Sequence, residues 1–165
     1  SSTYSEFKLD RKVTKRLLTQ SNHAYHTEIN DMLLASFGLA LAKLTKMNTN
    51  YITMEGHGRE LSAAGEDAAR LDISRTVGWF TSLYPVRLSV ITDSLAATLI
   101  QVKESLRRIP RKGIGYGALF GYGDELAKVS FNYLGQFENG KANSFTASSS
   151  PVAPETELVK WGLVF

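Results

Sequence analysis

Tyr51-Ile-Thr-Met54 leads without a break into Glu55-Gly-His-Gly-Arg-Glu60, and the reading of the whole chain turns on this junction. The first four residues are apolar and β-prone, so they predict a strand. The next six crowd two carboxylates, an imidazole and a guanidinium beside two glycines, a density of charge that packing alone does not require. The resulting picture is a strand that ends by delivering Glu55 to a site. Gly56 and Gly58 allow backbone conformations closed to other residues and let another molecule approach closely.

Upstream of this strand, Asp10 to about His26 predicts a helix. Val13, Leu17, Leu18 and Ala24 recur near helical spacing, while Arg11, Lys12, Lys15 and Arg16 form a solvated face. A second helix runs from about Asn30 to Lys46, with Asn30 or Thr27 as its cap and Leu33, Phe37, Leu41 and Leu44 as its stripe. Met47-Asn-Thr-Asn50 is the turn-rich break before the strand.

Downstream, residues 61–70 read as a surface loop and Thr76 to Pro85 as an aromatic-rich turn, after which Val86, Leu88 and Val90 alternate as in a half-buried strand. Asp93 caps a third helix, Ser94 to Arg108, with Leu95, Leu99, Val102 and Leu106 facing the core and Pro110 marking its end. Val129 to Leu134 is another buried strand, residues 138–156 are an exposed excursion, and Val159, Trp161, Leu163 and Phe165 alternate as a last strand. Helices and strands mixed irregularly predict an α/β fold, an α+β sandwich, as one domain over residues 1–165.

Composition narrows the possible functions. A chain of 165 residues with 43% hydrophobic content supports one ordinary core. Its net charge is +3, and the 19 basic residues are scattered without a dense run, which gives no support to nucleic-acid binding. The absence of cysteine excludes disulfides, thiolate metal sites and a cysteine nucleophile. No apolar stretch reaches membrane-spanning length and no signal-peptide pattern opens the sequence, so the plain reading is a cytoplasmic protein without membrane contact.

Glu55 is the first candidate for chemistry, since a carboxylate at a dry strand end can serve as general acid or base. The competing reading is a surface ion pair. Arg59 can pair with Glu55 or with Glu60, and the sequence does not choose between them. His57 is read as a partner that shapes the loop rather than as the proton-transfer group. A metal site needs about three protein ligands, and the only other histidines, His23 and His26, lie together on the first helix, so no metal is expected. Gly113-Ile-Gly-Tyr-Gly117 follows a helix and Pro110, not a strand, and reads as a tight turn over Tyr116 in preference to a phosphate loop. Trp79, Phe80 and Tyr84 are either core or channel wall. Asn132 and Tyr133 can hold a carbonyl or enolate oxygen, but strand alternation puts them on opposite faces, so at most one of the two points into the site.

Five ordered segments carry a family resemblance: Asn30-Asp-Met-Leu-Leu-Ala-Ser-Phe-Gly38, Glu55 to Glu60, Arg75 to Pro85, Pro110 to Gly117, and Phe131-Asn-Tyr-Leu-Gly-Gln136. Together they resemble the epimerization domains of non-ribosomal peptide synthetases, members of the condensation-domain superfamily. The family's histidine pair followed by an aspartate and a glycine is missing, and no His-His occurs in this sequence. The resemblance therefore implies the C-terminal lobe alone, one of two chloramphenicol-acetyltransferase-like lobes that flank a channel.

Its implied chemistry inverts the Cα of an aminoacyl or peptidyl thioester carried on the 4'-phosphopantetheine of a peptidyl carrier protein, with no cofactor bound directly. Glu55 is implied as one of two acid/base groups, the other lying on the N-terminal lobe. Tyr133 and Asn132 sit near the thioester, Arg59 and His57 order the loop, and Trp79 and Thr81 line the channel. The rival readings are a condensation lobe that assists peptide-bond formation and a catalytically silent module that docks a carrier protein.

Overall fold

The computed structural model describes residues 7–21, 25–59, 70, 72–123, 126–137 and 158–164. Of the predicted loop at 61–70 only residue 70 is among them, and the predicted excursion at 138–156 lies outside them. The first helix, α1 (Arg11–Thr19), starts where Asp10 Oδ1 accepts the Val13 N–H at 2.8 Å. It ends well before the expected His26. Thr19 and Ser21 hydroxyls turn back onto the Lys15 and Arg16 carbonyls and close the terminus, and His26 stands outside the helix with a left-handed φ of 49°. His23 is outside the described residues.

Helix α2 (Ile29–Thr45) is capped by neither Asn30 nor Thr27 but by Glu28, whose N–H donates to Asp31 Oδ2 at 2.7 Å. Its buried face also departs from the expected stripe. Leu34, Ala35, Gly38, Leu41 and Ala42 are buried, Leu33 and Phe37 only half-buried, and Leu44 exposed. The small side chains bring this helix onto the sheet. A Cβ on Gly38 would stand 2.7 Å from Val90 Cγ1 and 3.1 Å from Leu88 Cδ2.

Strand β1 (Thr49–Gly56) pairs antiparallel with β2 (Ser82–Ser89) along its full length. The aromatic-rich turn expected up to Pro85 is thus shorter, with its last four residues in β2. Proline is accommodated because the Thr53 N–H, opposite Pro85, is directed to the other side, onto the Val129 carbonyl at 2.8 Å. Pro85 therefore occupies a position where no N–H toward β1 is required.

Helix α3 (Leu95–Arg107) is capped by Ser94, whose Oγ accepts the Ala97 N–H at 3.2 Å, not by Asp93. Thr98, Leu99 and Val102 are its buried residues, while Leu95 is exposed. A 3-10 turn (Pro110–Gly113) and a short helix, α4 (Tyr116–Phe120), follow, and Tyr116 packs against the core as the turn reading expected. Strands β3 (Ser130–Phe137) and β4 (Leu158–Val164) complete a mixed sheet of order β2-β1-β3-β4.

Ile52 and Met54 of β1 join Tyr84, Val86 and Leu88 of β2 on one sheet face, and with Leu34, Leu41, Leu99, Val102 and Phe131 they form the core. On the other face Tyr51 and Arg87, cross-strand partners, are exposed. The expected α/β architecture is the observed one. Among the described residues no helix is long and apolar enough to cross a membrane.

Candidate active site

The parallel pairing of β1 with β3 is short: Thr53 with Ser130, then Met54 with Phe131. It stops one residue before Glu55 and one before Asn132. Past that point β1 ends at Gly56 while β3 runs on, and a cavity of about 670 Å³ is lined by Glu55, Gly56, Thr81, Asn132, Tyr133 and Lys112 among others.

Both Asn132 and Tyr133 border this space. On its other edge β3 stays paired with β4, Asn132 with Gly162 and Tyr133 with Trp161. Here β1 has ended its pairing with β3, and the β3–β4 ladder shifts register between Tyr133 and Gln136.

Glu55 sits opposite Leu83 near the end of β1 and is half-buried. No described residue bonds to or pairs with its carboxylate. Of the two pairings open to Arg59, the one with Glu55 is not made, and Glu60 lies outside the described residues. The guanidinium instead donates to the carbonyls of Ile73 (3.2 Å) and Thr76 (3.0 Å) and lies 4.2 Å from the centre of the Phe80 ring.

His57 lines the cavity, and its Nδ1 accepts the Arg59 N–H at 3.0 Å, so the imidazole braces the turn that aims Arg59. Between them Gly58 is left-handed (φ 64°), and a side chain there would run into the Phe80 carbonyl. Farther along, the backbone N–H of Ser74 donates to Asp72 Oδ1 at 2.9 Å, and the Ser74 hydroxyl and N–H hold the Asp72 carboxyl below its usual range.

The segment from Ile73 to Phe80 is thus stapled to the Glu55 loop, which leaves Thr81 on the cavity wall. Trp79 is 88% exposed and is not among the lining residues, so it is neither core nor part of this wall. Phe80 is half-buried beneath Arg59, and Tyr84 is buried in the core.

One polar group on the wall escaped the site reading. Asp31, 3% exposed, accepts the Arg107 guanidinium at 3.2 Å and so ties the start of α2 to the end of α3. Beside it the buried Asn30 Oδ1 has no hydrogen-bond partner among the described residues. The Asn30-Asp31 pair opens the first of the five quoted segments, and that adjacency was the available signal.

A family profile for the condensation domain matches residues 2–159. The chain belongs to the condensation-domain family. Its relatives are peptide synthetases: surfactin synthase subunit 1 of Bacillus subtilis (strain 168) is 45% identical over 92% of this chain, and bacitracin synthase 3 of Bacillus licheniformis 46% identical over 93%. The chain spans only 4% and 2% of the lengths of those two proteins. Among solved structures, the epimerization domain from the third module of tyrocidine synthetase B superposes with a TM-score of 0.60 at 43% identity, covering 73% of this chain and 26% of that one. The five motif segments of this condensation-family chain thus fall on a fold that an epimerization domain also adopts.

Proposed function

We propose that the chain is the C-terminal lobe of an epimerization domain and that Glu55 is one of its two proton-transfer groups. The observation that carries this reading is the position of Glu55: on the wall of a cavity it shares with Asn132 and Tyr133, where β1 stops pairing with β3, its carboxylate without a described partner. The likeness to a tyrocidine synthetase epimerization domain supports it.

The substrate is an aminoacyl or peptidyl thioester on the phosphopantetheine arm of a peptidyl carrier protein. Its Cα proton is acidic because the thioester accepts charge as an enolate. Inversion removes the proton from one face and returns one to the other, which needs two flanking acid/base groups. Glu55 supplies one, and the N-terminal lobe supplies the other. Tyr133 and Asn132 hold the thioester or its enolate oxygen, Thr81 forms part of the wall, and His57 and Arg59 act through the shape of the loop. Burial of the apolar floor, Met54 and Phe131, keeps the reacting carbon away from bulk water.

The family profile is equally compatible with a second reading, a condensation lobe that assists acyl transfer to an amine. Exchange of the Cα proton separates the two. In the complete module, with loaded carrier, Glu55→Gln is expected to abolish loss of Cα label to solvent while carrier binding is unchanged. Wild-type exchange in that variant would overturn the acid/base role of Glu55, and no exchange in the unaltered module would favour condensation.

A further inference from the structure

The turn after α3 carries a backbone anomaly on the cavity wall. Arg111 (φ 49°, ψ 34°) and Lys112 (φ 50°, ψ 31°) are both left-handed, and Gly113 continues at φ 77°. Consecutive non-glycine residues in that region are costly, and such strain persists only where the surroundings enforce it. Here they do. Pro110 opens the turn with its fixed φ, and Gly113 is buried so tightly against Tyr84 that a Cβ would lie 2.6 Å from Cε1 of the ring.

The same ring carbon lies 3.7 Å from a Cβ built on Gly56, the residue after Glu55. One aromatic ring therefore separates the basic turn from the end of β1. Lys112 lines the cavity together with Glu55, Asn132 and Tyr133, while its equally strained neighbour Arg111 does not.

We propose that Lys112 is a further catalytic residue of this site, its ammonium donating a hydrogen bond to the thioester oxygen as that oxygen gains charge. The proposal rests on the acid/base reading of Glu55. In the step, one flanking group takes the Cα proton. The C–H electron pair becomes the Cα–carbonyl double bond, and the carbonyl π pair moves onto oxygen. When a proton is delivered to the opposite face, the pairs return. Nothing is oxidised or reduced, and Lys112 keeps its proton throughout. A cation so placed acts mainly on charge that develops during the reaction, which is where stabilisation raises turnover. The phosphate of the carrier arm is a rival anion, but it stands a whole pantetheine chain from the thioester, whereas the turn is one ring from the Glu55 strand.

The test measures Cα exchange in the complete module for Lys112→Asn, Lys112→Arg, Arg111→Asn and Glu55→Gln. Asparagine tolerates left-handed backbone, so both asparagine variants are expected to keep or raise the melting temperature. Should Lys112→Asn misfold, Lys112→Gly takes its place. Lys112→Asn should lower kcat about 100-fold with KM little changed, both for carrier-bound substrate and for a phosphate-free pantetheine thioester. Lys112→Arg should recover most of the loss, and Arg111→Asn should match the wild type.

Wild-type turnover in Lys112→Asn would overturn the proposal. So would a loss confined to the carrier-bound substrate, which makes Lys112 a phosphate contact, or an equal loss in Arg111→Asn, which makes the shape of the turn responsible. Normal Lys112→Asn with inactive Glu55→Gln rejects this proposal alone. Exchange that survives in Glu55→Gln rejects the reading beneath it.

Discussion

Gly58 decides the form of the Glu55 loop. Its positive φ and the Phe80 carbonyl standing where a side chain would go mean that any other residue must both strain the backbone and displace the segment that Arg59 holds. Gly58→Ala is expected to destabilise the complete domain by on the order of 2 kcal/mol, read as a fall in melting temperature, and to lower exchange by moving Thr81. An unchanged melting curve would contradict this account. The glycine's importance was legible in the sequence, because charges beside glycines imply an unusual backbone. The partners of Arg59 were not. They are main-chain carbonyls 14 and 17 residues away, and carbonyls look alike in every sequence. Nor was the choice between two adjacent aromatic rings: the Arg59 guanidinium lies over Phe80, and Trp79 is left exposed.

Among the elements, α2 illustrates how patterning can identify a helix and still misplace its inner face. The helix is apolar nearly all round, so large residues suggest one stripe while small ones permit another. Close approach to β2 settled the matter in favour of Ala35, Gly38 and Ala42. Gly38→Val should therefore overpack the contact with Leu88 and Val90 and cost about 1–3 kcal/mol, measured by urea unfolding of the complete domain. Stability equal to the wild type would mean that the helix can back away from the sheet. Strand β1 was the opposite case. Its apolar run and terminal charges agreed about direction and end point, and β1 does end at the cavity. Asn132 and Tyr133 were both legible as candidates, yet that they border the same cavity as Glu55 is a fact about two distant segments together.

At the scale of the molecule, the proposed reaction needs acid/base groups on both sides of a carbon, and this chain is proposed to supply one side. The cavity lining comes from β1, β2, β3, α2, α3 and the segments that join them. The purified 165-residue chain is accordingly expected to show no Cα exchange with a loaded carrier, while addition of the complementary lobe restores it. Robust turnover by the chain alone would refute the two-walled scheme. The architecture was readable from alternating helix and strand signals, and Glu55, from which the sequence reading started, lies on the wall of the cavity.

Among the described residues β2 is the rim of the sheet. The residues flanking Pro85 by two, Leu83 and Arg87, share its orientation, so their N–H groups point outward, and proline removes the donor between them. An incoming foreign strand would find a gap in the middle of its hydrogen-bond ladder. The residue that ends the motif Arg75 to Pro85 thereby blunts the sheet against polymerising along this side.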